Sequence, residues 1–278
     1  MYLVGVSLAL LSAVLFGGGD LGGGFATRRR HPIQVLAWSA LSGFVVLGSL
    51  AWGVGEPLPS LGTALWAAGA GLAGALGLVA LYRALSMGHA AIVSPLAGVI
   101  GAVLPVVVGA LTAGLPRPAQ LLGFVSAMLG IALVTRTKSA LPSVTKKQVL
   151  LAALSGVGFG AFFILAAQVE DGAVLWPLMI AKGTAICLAW GIALLGQRRV
   201  PVFPGSGVAW LSGALDAGAN ALYLLAQQYT RLDVAVVLSS LYPAFTVLLA
   251  FWLLKERISR AQWVGVGLCS AAIALVAL

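Results

Sequence analysis

The chain has 278 residues, 61% hydrophobic and 8% charged, with a mean hydropathy of +1.07. Soluble domains carry about 25% charged residues, so this composition excludes a soluble domain of useful size and reads as a polytopic membrane protein. The net charge of +9 lies in short connections between apolar runs, not on one basic face, which argues against nucleic acid as a partner.

Ten apolar segments follow, near 3–26, 33–54, 62–86, 90–112, 117–135, 148–168, 173–196, 206–229, 233–254 and 261–278. Most are long enough to cross a hydrocarbon layer of about 30 Å at about 1.5 Å per residue. The first lacks a basic leader and an A-x-A site, so it reads as a retained span. Cys187 and Cys269 fall inside apolar segments, which points to neither a disulfide framework nor a metal site.

The connections carry a charge bias. Arg28–Arg30, Arg136, Lys138, Lys146, Lys147, Arg198, Arg199, Lys255, Arg257 and Arg260 fall between odd and even spans. The opposite connections hold only Arg117 and Arg231, with Glu56, Glu170, Asp171 and Asp233. The positive-inside rule then predicts basic loops in the cytoplasm and both termini outside.

The chain also repeats itself. A shift of 142 superimposes Ala119-Gln120 on Ala261-Gln262, Gly123 on Gly265 and Ile131–Val134 on Ile273–Val276. A shift of 141 pairs Ala80-Leu-Tyr82 with Ala221-Leu-Tyr223, and one of 143 pairs Phe16-Gly17 with Phe159-Gly160. Two units are predicted, 1–138 and 146–278, joined by a connecting loop at 139–145. With five spans each, an odd number, the second inserts upside down, an arrangement suited to alternating access around a midplane site.

Polar residues inside the spans mark candidate function, because a charge there costs about 2.5–3.5 kcal/mol on insertion scales. Asp20 lies late in span 1 within Gly17-Gly-Gly-Asp20-Leu-Gly22-Gly-Gly24. It reads as a proton- or cation-coupling carboxylate, as a counter-ion for a cationic substrate, or as a boundary carboxylate snorkelling toward Arg28–Arg30. The glycines allow close backbone approach, a bend or an unwound turn. Lys182 in span 7 and Asp216 in span 8 both lie near the midplane, and adjacent antiparallel spans would bring them together. That pair is either a static link or a switch in which substrate or proton competes for Asp216; Lys182 is also suited to a substrate carboxylate.

Asp216, Asn220, Tyr223 and Gln227 recur at helical spacing on one narrow face of span 8, which makes that face the leading substrate wall. The repeat-related Tyr82 and Tyr223 are expected to approach each other across the pseudo-two-fold axis, offering ring faces for cations and hydroxyls for hydrogen bonds. Trp176 with Pro177 is a candidate rim; Trp38, Trp66 and Trp190 read as belt or packing residues. Pro95, Pro105 and Pro243 interrupt spans 4 and 9. His89 is read as a boundary residue and Glu256 as structural. Enzyme signatures such as a nucleophile elbow, HExxH or Walker A are absent.

The stretch from Tyr242 through PAFTVLLAFWLLKE to Arg257, followed by Ser259 and Gln262, resembles the EamA family of the drug/metabolite transporter superfamily. Ala80 through Pro95 and Pro105 to Gln120 is similar to the matching first-half element, with Gly114 in place of a Glu. Leu15 to Arg30 resembles the first span of a subgroup with Asp after a Gly-rich stretch. The resemblance implies ten helices, a central cavity lined mainly by spans 1, 3, 4, 6, 8 and 9, and transport of small organic metabolites.

The sequence therefore predicts an all-α membrane protein of ten transmembrane helices in two inverted five-helix repeats around a central cavity, in a bacterial-style inner membrane. It is expected to be a secondary transporter, not an enzyme, and to need no cofactor beyond a coupling proton or cation. Its partners are a small-molecule substrate and the lipid bilayer, and it acts as monomer or homodimer. The leading substrate is an amine-bearing, amino acid-like metabolite, exported; the alternatives are uptake of a quaternary ammonium compound, or a non-transporting sensor or enzyme.

Overall fold

A computed structural model describes residues 1–27, 32–87, 90–135, 145–170, 172–195, 207–255 and 258–277. Arg28–Arg30, His89, Glu256 and residues 139–144 of the expected connecting loop lie outside them, as do the side chains of Tyr82 and Pro95. The described residues form helices α1 (Tyr2–Thr27), α2 (Pro32–Val54), α3 (Leu61–Ser86), α4 (Ala90–Ala113), α5 (Pro118–Val134), α6 (Lys146–Ala166), α7 (Leu175–Leu195), α8 (Gly207–Gln227), α9 (Leu232–Ser239), α10 (Tyr242–Leu254) and α11 (Arg260–Ala277).

The count departs from ten because the ninth span is two helices. Pro243 has no N–H to give to the Ser239 carbonyl four residues back, and its ring crowds that carbonyl. The chain tightens there, with Leu241 N bonding the Leu238 carbonyl at 3.2 Å and Ala244 N the Leu241 carbonyl at 3.0 Å. Span 4 runs unbroken through Pro105.

Among the described residues, seven spans are long and apolar enough to cross a membrane, counting Leu232–Leu253 as one. Pro118–Val134 and Arg260–Val276 are shorter apolar helices. Helix α8 has the length, but Asp216, Asn220 and Gln227 dilute its hydropathy. Large apolar side chains such as Leu65, Leu111, Leu122, Trp52 and Trp252 point outward, while the interior is dominated by Ala and Gly. This inverts a soluble protein's surface and identifies a multi-pass membrane protein.

Packing keeps its pattern when the halves are exchanged. Helix α1 packs on α8 as α6 packs on α3, α4 on α6 as α9 and α10 on α1, and α3 on α7 as α2 on α8. The equivalent helices α5 and α11 pack on each other, as do α2 and α7. Both self-pairs run antiparallel: Gly123 faces Leu275 while Val134 faces Gly265, and Gly43 faces Lys182 while Gly48 faces Met179.

The repeated Ala-Gln dipeptide has a structural cause. Gln120, Gln148 and Gln262 each sit three residues into a helix and accept from the N-cap N–H at 3.1, 3.0 and 2.9 Å, the reciprocal half of a capping box. Their amide donors then cross to other segments. Gln262 Nε2 reaches the Val134 carbonyl at 3.1 Å, and Gln120 Nε2 reaches the Tyr2 hydroxyl, which donates to the Val276 carbonyl.

Candidate functional site

The glycines of α1 leave it continuously helical, without the unwound turn that was one expectation, and let two helices approach it. A Cβ at Gly17 would lie 2.9 Å from Phe245 and Thr246 of α10, and one at Gly19 would lie 3.3 Å from the Ser212 carbonyl of α8. Ser212 Oγ bonds the Gly19 carbonyl at 2.6 Å and Ser12 Oγ the Ala219 carbonyl at 2.7 Å. This close packing sets Asp20 beside α8 and α10, within electrostatic reach of Asp216 and Tyr242. Asp20 nevertheless keeps exposed surface, so it lines a space inside the bundle. Phe16, one turn before Asp20, has its ring centroid 6.1 Å from that of Tyr242.

Lys182 pairs with Asp216 through Oδ2, but not by direct packing of neighbouring spans. Helix α2 packs extensively on both α7 and α8, which touch each other little. Gly43 of α2 supplies the passage: a Cβ there would lie 3.4 Å from Lys182 Cε and 3.3 Å from the Gly213 carbonyl. The side chains of Lys182 and Asp216 remain 19% and 38% exposed, so the pair borders accessible space.

Farther along α8 the polar stripe turns inward. Asn220 Nδ2 donates to the Asp216 backbone carbonyl at 2.7 Å and leaves the carboxylate alone. Tyr223 is fully buried, donating to the Phe163 carbonyl of α6 at 3.3 Å and accepting from Gln227 Nε2 at 2.6 Å. Its ring meets Phe163 edge-on at 4.8 Å. Tyr223 therefore meets α6, and its phenol is engaged in sealing α8 to α6.

Trp176 is committed elsewhere. Its indole donates to the Glu56 carbonyl at 2.8 Å, while the Glu56 carboxylate accepts from the N–H groups of Val174, Leu175 and Trp176 at the start of α7. A carboxylate there satisfies orphan donors and the helix dipole.

A second ion pair differs in kind. Arg231, between α8 and α9, grips Asp233 through Nε and Nη2 at 3.1 and 2.8 Å and caps the end of α4 by donating to the Ala113 and Gly114 carbonyls at 3.0 and 2.6 Å. Asp233 is fully buried and also accepts from Val234 N at 2.9 Å. Helix α4 thus closes on α9; among the described residues it has no comparable packing on α10.

Asp20, Asp216 and Lys182 are thereby brought to one accessible region, while Tyr223, Asn220 and Trp176 are drawn into packing. Sequence reasoning passed over Phe16, Tyr242 and Gly43 as site residues. A glycine opposite a lysine on another span leaves no linear signal, whereas the i, i+4 spacing of Phe16 and Asp20 was readable.

The sequence profile of the EamA-like transporter family matches this chain twice, over residues 3–136 and 146–278. Protein LicB of Haemophilus influenzae is 39% identical over 96 residues, which cover 33% of this chain and 32% of that protein. The match thus spans about a third of that curated relative's length. A solved crystal structure matches with a TM-score of 0.78 at 17% identity, covering 97% of this chain and 95% of the other; at that identity the likeness concerns the fold. Two profile matches spanning nearly the whole chain settle the family: the chain belongs to the EamA-like transporters, membrane proteins that move small molecules.

Proposed function

We propose that the protein is a secondary transporter that exports a small amine-bearing, amino acid-like metabolite across the inner membrane by alternating access. In this reading residues 1–138 and 146–278 are inverted repeats of five spans each, around a central cavity, with basic loops in the cytoplasm and both termini outside. The exchangeable packing and the antiparallel α5–α11 and α2–α7 pairs support the inversion. The α4–α9 closure and the buried Tyr223–Phe163 contact lie toward one end of the bundle, the Lys182–Asp216 pair lies mid-helix, and the accessible Asp20 lies toward the other end. That asymmetry supports a conformation sealed outside and open inside. Energy comes from an ion or substrate gradient, and export rests on analogy with the family.

One observation carries the substrate class. Asp20 is an accessible carboxylate inside the bundle, without an ion-pair partner among the described residues, while the one lysine nearby is held by Asp216. Among the described residues the region keeps a net negative charge, and a carboxylate at membrane depth calls for a cation. The Phe16–Tyr242 ring pair beside Asp20 favours a second reading, a quaternary ammonium compound taken up, because aromatic faces bind cations that cannot donate hydrogen bonds.

A thermal-shift panel of amino acids, polyamines, quaternary ammonium compounds and organic acids, with wild type beside Asp20→Asn, tests the class. Saturation at 100 times the dissociation constant stabilises by about 2.7 kcal/mol. The expected result is a hit among amines that Asp20→Asn abolishes. A hit confined to organic acids, or equal in the variant, removes the amine reading.

A further inference from the structure

Two ion pairs among the described residues differ in how fully their hydrogen-bonding capacity is used. Arg231 and Asp233 form a saturated pair: the guanidinium donates to both carboxylate oxygens and two carbonyls, and the carboxylate takes a backbone N–H besides. A buried ion pair contributes to a fold only when its remaining donors and lone pairs are satisfied in this way. Lys182 and Asp216 are unsaturated by the same measure. An ammonium has three donors and a carboxylate about four acceptor sites, yet among the described residues their side chains make one hydrogen bond, to each other. Asn220, the neighbour able to complete Asp216, turns to its backbone carbonyl instead. Both side chains border accessible space, and Gly43 keeps the approach to Lys182 clear.

The region thus offers unused ammonium donors on α7, an open carboxylate oxygen on α8 and, without an ion-pair partner among the described residues, the Asp20 carboxylate on α1, next to Gly19, where a Cβ would lie 3.8 Å from Asp216 Cβ. A ligand bearing only an ammonium leaves the donors of Lys182 unused. A ligand bearing only a carboxylate meets a region of net negative charge. We propose that the Lys182–Asp216 pair is the carboxylate subsite for a zwitterion whose ammonium is held at Asp20. This rests on the amine reading above and narrows it: Lys182 turns free donors to the substrate carboxylate without leaving Asp216, and Asp20 with the open oxygen of Asp216 receives the ammonium. The discriminating feature of the substrate is then the distance and charge of its two ends.

The test uses the purified full-length protein and a matched series: the common α-amino acids, and for each that binds its amide, which keeps only the ammonium, and its N-acetyl derivative, which keeps only the carboxylate. Binding is measured by thermal shift and titration calorimetry. On wild type the free acid is expected to bind at least about tenfold more tightly than its amide, the scale of one charge-assisted hydrogen bond. Lys182→Gln alone strands Asp216, so the double variant Lys182→Gln/Asp216→Asn, which removes both charges together, is the companion. It is expected to bring acid and amide to similar affinity. Lys182→Arg is expected to restore part of the preference, and Asp20→Asn to weaken acid and amide alike. Amides or quaternary ammonium compounds that bind as well as the free acids, or an acid preference that survives in the double variant, overturn the zwitterion and leave the amine reading standing. If no amine of any kind binds, the amine reading falls, and the zwitterion with it.

Discussion

Removing Arg231 is predicted to cost far more than its half-exposed position suggests. Asp233 is fully buried, packed where Gly109 leaves room at 3.1 Å. In Arg231→Ala its carboxylate retains only the Val234 N–H, and the Ala113 and Gly114 carbonyls lose their donor. Stranding one charge of a buried pair costs about 3–5 kcal/mol. Because the Arg231 side chain is 29% exposed, water reaches the gap and the lower end applies, about 3 kcal/mol. At roughly 2–4 °C per kcal/mol for a chain of this size, the midpoint of thermal unfolding falls by about 6–12 °C. The hydrogen bond to Asp233 holds the guanidinium above its ordinary range, so raising the pH through the usual alkaline limits does not mimic the variant. Arg231→Ala/Asp233→Asn removes the stranded charge and recovers more than half of the loss. The assay is unfolding followed by tryptophan fluorescence in one detergent. If the double variant is no more stable than Arg231→Ala, the penalty does not come from a stranded carboxylate and the saturated-pair reasoning is refuted.

Three further outcomes follow from close contacts. Gly213→Ala sets a Cβ 2.1 Å from the Ser39 carbonyl and Gly191→Ala sets one in open space; overpacking costs about 1–3 kcal/mol or more, whereas alanine in a free helical position gains up to about 1 kcal/mol, so melting temperatures should move in opposite directions. Gly43→Val fills the passage used by Lys182 and is expected to weaken substrate binding by about tenfold, the scale of one charged hydrogen bond; unchanged binding in calorimetry would show that Lys182 does not depend on that gap. Pro243→Ala returns a donor to the Ser239 carbonyl, so α9 and α10 should join: thermal stability rises by about 1 kcal/mol, the worth of one hydrogen bond, while flux in proteoliposomes falls as the break is lost. Equal flux would make the break a passive kink.

Hydropathy located every segment to within a few residues because bilayer thickness imposes a length on each helix. The shift of 142 found the repeats because the same capping glutamine and the same Gly contacts recur at α5 and α11. Two features stayed hidden for physical reasons. Adjacency in sequence suggested that α7 meets α8, but the two halves interleave, and α2 packs on both. Helical spacing put Asp216, Asn220, Tyr223 and Gln227 on one face, yet a face is defined by its neighbours. Near Asp216 that neighbour is accessible space, and near Tyr223 it is Phe163. One stripe therefore borders accessible space at one end and packs against an aromatic ring at the other. The repeat relation extends this division: a shift of 143 places Phe163, the partner of the buried Tyr223, on Asp20, the accessible carboxylate. Where one half of the molecule carries an aromatic ring that packs, the other carries a carboxylate that keeps exposed surface and has no ion-pair partner among the described residues. The asymmetry thus follows a difference between otherwise equivalent positions, and a ligand that neutralised Asp20 would make the first half resemble the second.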